Sequence, residues 1–239
     1  MTYPVQGPDY SIWDDNNSTP QRVDFAKCKA AGAPFCFIKS SQANFVDQDY
    51  VYNWGNAKAA GLLRGAYHYM TYEISPIIQA EYMWSLLKSD PGELPLVVDF
   101  EYRLPGLTRS TAAGALKAFI ERLTQLSGRK PMIYTSPSYW NEFGTTDAYW
   151  AAYPLWIAHY TSYAEPLTPS PWKFWYFWQF TDRADGLKYG SEAKEVDMNY
   201  WYSDLSALYA IAGQTPPPTT WEQEIDAWAR TMGYNGRRP

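Results

Sequence analysis

Eight short runs of apolar and aromatic residues recur along the first 200 residues, and they restrict the fold more than any other feature. They cover residues 5–13, 35–41, 63–70, 94–101, 131–136, 154–160, 174–180 and 195–200. Several runs are continuously apolar, which is typical of parallel strands that are covered on both faces. Helical patterns follow the first five runs, near residues 20–31, 48–60, 76–88 and 110–126 and just after Pro137. This alternation predicts an α/β chain.

The pattern changes after the sixth run. Pro166, Pro169 and Pro171 exclude a regular helix between the sixth and seventh runs, and residues 183–194 are polar and contain Gly186 and Gly190. The last three strands are therefore predicted to be joined by loops. We predict a TIM-like barrel of eight strands with about five helices, (β/α)5(β)3, over residues 1–212, with the eighth strand beside the first. A chain of 239 residues is long enough for one such domain.

Residues 213–239 are predicted to form a proline linker and a short helical tail. The linker reads GQTPPPTT, a composition that favours a stiff, extended segment. Beyond it, Trp221, Ile225, Trp228 and Met232 have the spacing of one helical face. Because so short a segment cannot build a core of its own, we expect this face to pack on the barrel.

Charge and hydropathy limit the partners. The net charge of −5 argues against a nucleic-acid partner, which usually needs a basic surface. No apolar run is long enough to predict a membrane-spanning helix. The first ten residues, MTYPVQGPDY, contain neither the basic nor the apolar region of a signal peptide. We therefore expect a protein that is cytoplasmic or that leaves the cell by another route.

The fourth run, LPLVVDFE, ends in two carboxylates, Asp99 and Glu101. Residues i and i+2 of a strand share a face and lie roughly 6.6 Å apart at about 3.3 Å per residue. Carboxyls this close cannot easily ionise together, so the pKa of one should rise. A protonated carboxylic acid beside an ionised one is the pair that hydrolyses glycosidic bonds. The alternative is a structural one, in which both acids are solvated or pair with Arg103.

Two further acids fall at the same end of the predicted barrel. Asp9 ends the first run and Asp197 lies in the last run. Since the first and last strands are neighbours in a closed barrel, both carboxylates can point toward Asp99 and Glu101. Active sites of such barrels lie at the carboxyl ends of the strands. The four acids together therefore predict an active site.

These segments resemble the family 25 glycoside hydrolases, N-acetylmuramidases of bacteria and their phages. Over about residues 4–212 the similar segments are, in order, GPDYSIW, FCFIKSSQ, RGAYHYM, LVVDFE, PLWIAHY, FWQFTD and VDMNYW. Each motif alone is weak, and D-x-E especially so. Seven motifs in the right order and spacing are a strong signal. The resemblance implies a barrel of eight strands and five helices, in agreement with the pattern above.

The resemblance also implies roles for individual residues. Glu101 would be the general acid that cleaves the bond between N-acetylmuramic acid and N-acetylglucosamine, in a family generally regarded as retaining. Asp99 would be a nucleophile or would orient the substrate's acetamide group. Asp9 and Asp197 would hold substrate and tune the charge of the pair. Further residues would line the cleft or pack in the core: Tyr67, Tyr134, Trp156, Tyr160 and Gln179.

Other functions fit the residues less well. A family 18 chitinase would need acids at the positions of Leu94 and Val97, and a zinc amidase would need about three ligands where His68 and His159 are the only histidines. A cysteine peptidase using Cys28 or Cys36 is similarly disfavoured. A glycan-binding protein with weak catalysis, or a glucosaminidase, remains as an alternative.

The expected partner is bacterial peptidoglycan. We expect a monomer that needs no cofactor or metal and binds neither nucleic acid nor membrane. An enzyme of this kind without a signal peptide would act outside the cell or be released to the cell wall, as a phage endolysin is through a holin. Secretion of a bacterial enzyme is the alternative.

Overall fold

The structure, a computed structural model, describes residues 5–19 and 22–217. Within these residues, eight strands close into a barrel and a ninth, short strand, β3, extends one edge of β2. The strands are β1 (Gln6–Tyr10), β2 (Phe35–Gln42), β3 (Phe45–Val46), β4 (Leu63–Tyr69), β5 (Val97–Asp99), β6 (Met132–Thr135), β7 (Leu155–Ala158), β8 (Phe177–Asp185) and β9 (Glu195–Trp201). The predicted barrel is thereby confirmed, although β5 is shorter than its apolar run.

The barrel is mixed rather than wholly parallel. Strands β1, β2 and β4 to β8 run parallel in sequence order, whereas β9 is antiparallel to both β8 and β1. The connection between β8 and β9 is a short hairpin, and only a longer crossover would permit a parallel return. The first residues of β9 therefore lie at the same end of the barrel as the last residues of the parallel strands. We call this end the mouth.

Six α-helices occur in the described ranges, one more than the five predicted. They are α1 (Phe25–Ala30), α2 (Tyr50–Ala59), α3 (Pro76–Leu87), α4 (Arg109–Ser127), α5 (Pro137–Phe143) and α6 (Leu205–Ile211). Helix α1 begins later than its pattern because the Asp24 side chain caps it by accepting from Lys27 N. Helix α6, which was not predicted, is capped in the same way by Asp204.

Side chains alternate between two apolar layers along each barrel strand. Inward-facing residues fill the lower half of the barrel, where α6 closes the end opposite the mouth with Leu208 and Tyr209. Outward-facing residues pack against the helices. Gly65 belongs to the inner layer, and a Cβ there would lie 2.2 Å from the Phe37 ring, so glycine lets that ring fill the barrel. The mouth end of the inner face remains available for polar residues.

The predicted helical tail, with Trp221, Ile225, Trp228 and Met232, lies outside the described residues. The division into a barrel of residues 1–212 and a segment of residues 213–239 stays a prediction. In the described ranges, no helix is both long and apolar enough to span a membrane.

Candidate active site

The predicted site residues converge at the mouth of the barrel. Seven of them occupy inward-facing positions on seven different strands, and Glu101 follows two residues after the end of β5. Together these eight line a pocket of about 70 Å³: Asp9, Tyr67, Asp99, Glu101, Tyr134, Trp156, Gln179 and Asp197. The period-two alternation of the strands therefore brings together the residues that the sequence predicted, from positions up to 188 residues apart (197 minus 9).

Asp9 and Asp197 face each other across the β1–β9 pair, where they are direct register partners. The Gln179 side-chain amide bridges them, since its Nε2 donates to Asp9 Oδ2 at 3.0 Å and to Asp197 Oδ2 at 3.1 Å. Its Oε1 accepts from the hydroxyls of Tyr134 and Tyr160, both at 2.8 Å. All four hydrogen-bonding positions of this amide are thus used, which fixes its orientation. Tyr160, half exposed, joins the site through this bond.

Asn199 completes this network and was not predicted as a site residue. Its Nδ2 donates to Asp9 Oδ2 at 2.8 Å and to Gly7 O at 3.1 Å, and its Oδ1 accepts from Trp156 Nε1 at 2.7 Å. The available signal was its spacing, because a residue two positions after Asp197 lies on the same face of β9.

The pKa values of Asp9 and Asp197 differ, although the two carboxyls are neighbours. Burial raises the pKa of Asp9 to about 6, and the amide hydrogen bonds from Asn199 and Gln179 oppose this rise. Burial and then the charge of Asp9 raise the pKa of Asp197 to about 9. At neutral pH, Asp9 is therefore the ionised member and Asp197 holds a proton.

Asp99 and Glu101 form a second carboxyl pair with raised pKa values. Burial, followed by the charge of Glu101, raises the pKa of Asp99 well above its ordinary value. Burial, followed by the charge of Asp9, raises the pKa of Glu101. Within the described residues, Asp99 Oδ1 is buried and has no hydrogen-bond partner. The pair therefore retains a proton at a pH where two solvated carboxyls would have lost both.

Lys39 supplies positive charge to this pair and was also missed by the sequence interpretation. Its Nζ donates to Gln42 Oε1 at 2.9 Å and lies 4.9 Å from the centre of the Tyr69 ring. Its charge opposes the rise in pKa of both Asp99 and Glu101. A lysine that directly follows the apolar residues FCFI in a predicted strand was the signal for it.

The structural alternative for the two acids fails. Arg103 forms its ion pair with Glu142 on the surface, at 2.5 Å, and not with Asp99 or Glu101. Both of those carboxyls line the pocket instead of pairing with a cation. Stabilisation of the strand end therefore does not explain the two acids.

His68 does not line the pocket that holds the four carboxyls. His68 is buried between Ser41 Oγ, at 2.8 Å from Nδ1, and Gln79 Oε1, at 3.1 Å from Nε2. Over residues 5–19 and 22–217, no three His, Cys, Asp or Glu side chains are placed to hold a metal ion together. Cys28 and Cys36 are buried free thiols.

Comparison with known proteins identifies the family to which this chain belongs. The model of the family described as "Glycosyl hydrolases family 25" matches residues 9–186, which is most of the described chain. The chain belongs to glycosyl hydrolase family 25. It is therefore a glycoside hydrolase, and the mouth of its barrel is the candidate active site of such an enzyme.

Individual relatives of this family 25 chain agree in sequence and in fold. Lysozyme M1 of Streptomyces globisporus is 31% identical over 225 residues, covering 88% of this chain and 72% of that protein. An N,O-diacetylmuramidase of Arthroderma benhamiae is 30% identical over 203 residues, covering 80% and 81%. The crystal structure of a bacterial lysozyme from Streptomyces coelicolor superposes with a TM-score of 0.77 at 29% identity, covering 89% of this chain and 98% of that one.

Proposed function

We propose that this family 25 enzyme is a lysozyme, which hydrolyses the β-1,4 bond between N-acetylmuramic acid and N-acetylglucosamine in bacterial peptidoglycan. The observation that carries the proposal is the pocket at the mouth, in which two carboxyl pairs with raised pKa values face one another. Relatives named as lysozyme and N,O-diacetylmuramidase support the choice of substrate.

Glu101 acts as the general acid. It is partly exposed at the mouth, so substrate can reach its carboxyl, while burial still raises its pKa and favours the protonated form. A protonated carboxyl in this position gives its proton to the glycosidic oxygen as the bond to the sugar ring breaks.

Asp99 acts from deeper in the barrel. Its carboxyl lines the pocket at the mouth, and its buried Oδ1 has no hydrogen-bond partner among the described residues. Two roles fit: attack on the sugar carbon as a nucleophile, or a hydrogen bond that orients the acetamide group so that its own oxygen attacks. In the second role Asp99 needs only to hold the substrate.

The remaining residues hold the sugar and set the charge of the site. The ionised Asp9 stabilises positive charge that develops on the sugar ring in the transition state. Asp197 and Gln179 donate or accept hydrogen bonds around it. Aromatic side chains form walls against which a sugar ring can pack: Tyr67, Tyr134, Trp156 and Tyr160.

The bond that is cut decides between a muramidase and a glucosaminidase, because loss of turbidity is common to both. Purified peptidoglycan is digested, reduced with borohydride and hydrolysed in acid. A muramidase leaves N-acetylmuramic acid at the new reducing end, so muramicitol should form with little glucosaminitol. Mostly glucosaminitol would make the enzyme a glucosaminidase. New amino groups without new reducing ends would overturn the glycosidase assignment of the site.

The substrate implies that the enzyme works on the cell wall, outside the membrane. We further propose that it does so as a monomer, since the eight predicted residues that line the mouth pocket come from one chain. Release through a phage holin and secretion are the two routes to the wall. Membrane and nucleic acid are not expected as partners, in keeping with the acidic net charge of −5.

A further inference from the structure

The outer face of β8 and β9 differs from the rest of the barrel wall. Helices α1 to α5 lie between β1 and β7 in the chain and cover the outer side of the strands that they connect. In the described part of the chain, no helix lies between β7 and β8 or between β8 and β9. These last two strands therefore have no crossover helix of their own on their outer side.

This outer face is nevertheless apolar and aromatic. Strand alternation turns the neighbours of the inward-facing site residues outward. Trp178 of β8 and Tyr200 of β9 are register partners with ring centres 5.5 Å apart, and the Phe180 ring stacks on Tyr200 at 3.9 Å. The outward-facing set is Trp178, Phe180, Val196, Met198 and Tyr200.

Such a composition indicates a covered face rather than a solvated one. An antiparallel strand pair with water on its outer side usually carries polar residues there. Phe180 and Tyr200 are half-buried, so part of the aromatic surface remains accessible beside the described residues. Contiguous aromatic surface of this kind marks a place where another segment or molecule packs.

The sequence beyond the described residues has the apolar spacing to cover this face. A helix over residues 221–232 would be about 17 Å long at about 1.5 Å per residue. The outward-facing residues of β9, from 196 to 200, span about 14 Å at about 3.4 Å per residue. The two apolar surfaces thus match in length. We call the first of them the apolar tail face, which consists of Trp221, Ile225, Trp228 and Met232.

The described chain stops within reach of this face. Helix α6 follows β9 directly at the end opposite the mouth, and Pro217 lies six residues (217 minus 211) after the end of α6. The linker GQTPPPTT spans about 25 Å when extended at about 3.1 Å per residue. Since β9 is itself only about 20 Å long, this linker is long enough to return along the outside of β9.

We propose that residues 218–239 pack through the apolar tail face on the outer face of β8 and β9, where they replace the missing crossover helices. The inner face of the same two strands carries Gln179, Asp197 and Asn199. The segment thus supports the back of the candidate active site and is part of the catalytic barrel, not a separate wall-binding element. The packing is independent of which glycosidic bond the enzyme cuts.

The first test compares two double variants of the full chain. Trp221→Ala, Trp228→Ala removes the rings of the apolar tail face, and Gln223→Ala, Arg230→Ala changes the opposite side of the same helical pattern. The first variant should melt more than about 5 °C below the wild type, because large apolar side chains are lost from a packed interface. The control should melt within about 1 °C of the wild type. Equal melting of both variants and the wild type would overturn the proposal. Ile225→Ala makes the same comparison if the first variant does not fold.

The second test locates the contact with double-mutant cycles in urea unfolding. Trp228→Ala is combined with Phe180→Ala, and in the control cycle with Phe45→Ala, because Phe45 is 54% exposed on β3, four strands from β8. With Phe180, the equilibrium constant of unfolding should depart from the product of the single effects by about threefold or more. With Phe45 it should equal that product within about twofold. Additive effects in both cycles, or coupling to Phe45 alone, would overturn the location.

Two further measurements separate the other possible occupants. The wild type should sediment as a monomer, and a dimer that Trp221→Ala, Trp228→Ala dissociates would show that the segment packs on a second copy. The same variant should still sediment with purified peptidoglycan at a temperature below its melting transition. Unchanged melting together with lost binding to peptidoglycan would make the segment a wall-binding element. Either result would overturn the proposal.

Discussion

Two clusters of charged residues lie at opposite ends of this barrel, and the pKa values of their carboxyl groups shift in opposite directions. At the mouth, burial raises the pKa values of all four carboxyls, and the charge of Lys39 opposes that rise only at Asp99 and Glu101. At the lower end, Asp90 and Glu93 surround the fully buried Arg64. Hydrogen bonds from Arg64 are the main reason that the pKa of Asp90 falls to about 2.

The lower cluster satisfies every donor of its cation. Arg64 Nε and Nη2 donate to Glu93 at 3.1 and 2.8 Å, and Nη1 and Nη2 donate to Asp90, both at 2.9 Å. The fifth N–H, on Nη1, donates to Trp54 O at 3.3 Å. The Trp54 ring also lies 4.4 Å from the guanidinium carbon. A buried guanidinium is tolerated here because all of its N–H groups are bonded.

The two clusters differ in how the ionisation of their carboxyl groups affects the stability of the fold. Ionisation of Asp90 favours the folded state, whereas ionisation of the carboxyls at the mouth opposes it. Carboxyl groups with strongly raised pKa values are typical of functional sites, and the mouth is the candidate active site. Arg64, Asp90 and Glu93 do not line the pocket that contains Glu101. Substitutions in the two clusters should therefore divide cleanly between activity and stability.

The largest expected effect is on activity, at Glu101. Glu101→Gln should lower kcat for peptidoglycan lysis by about 10²- to 10⁴-fold, because an amide cannot donate the proton that a general acid supplies. The melting temperature should not fall, since the substitution removes a carboxyl whose ionisation is unfavourable in the folded state. Glu121→Gln, on the exposed surface of α4, is the control and should retain full activity. A Glu101→Gln protein with most of its lytic activity would remove Glu101 from the mechanism.

The next effect is on stability, at Arg64. Arg64→Met should lower the free energy of unfolding by about 3 kcal/mol, the lower end of the range for a broken buried pair, because Asp90 and Glu93 keep some solvent contact. Urea unfolding at pH 7 measures this loss, and kcat of the folded fraction should be unchanged. Arg122→Met, which removes an arginine on the surface, should cost much less.

The loss at Arg64 should also depend on pH. The ordinary pKa of Asp90 is 3.8 and its folded value is about 2, so its contribution to stability is complete above pH 3.8 and disappears as the pH falls through 2. The difference between wild type and Arg64→Met should shrink over that window. A difference that stays constant down to pH 2 would contradict the ion-pair explanation.

The smallest effect has the opposite sign and lies at Asp197. Its pKa rises from 3.8 to about 9 on folding, so wild-type stability should decline as the pH rises between these values. Asp197→Asn removes this decline and should raise the melting temperature at pH 8, with no gain at pH 3.5. Asp182→Asn removes an exposed carboxylate nearby and is the control. A lower melting temperature for Asp197→Asn at pH 8 would place Asp197 among the stabilising residues.

Much of the mouth could be predicted from the sequence, because strand alternation alone places Asp9, Asp99 and Asp197 on the inner face. The direction of β9 could not, since an apolar run has the same appearance in either direction. Asn199 and Lys39 were missed because their roles depend on contacts across strands that no local pattern reports.

The lower cluster was harder to predict than the mouth. Arg64 is the second residue of β4, and Asp90 and Glu93 lie in the loop before β5. Their contact arises from the parallel pairing of β4 with β5, which brings distant segments to one end of the barrel. No motif marks such a cluster, whereas the acids at the mouth lie at or near the ends of strands.

The most direct test of the contrast is the titration of the aspartates themselves. In protein labelled with ¹³C at the Asp carboxyl carbons, NMR follows each carboxyl signal across pH, and Asp197→Asn and Asp90→Asn assign the two signals by their absence. We predict that Asp90 titrates near pH 2 and Asp197 near pH 9. If both Asp90 and Asp197 titrated near the ordinary pKa of 3.8, the two ends of the barrel would not shift carboxyl pKa values in opposite directions. That result would contradict the separation of stabilising and functional clusters.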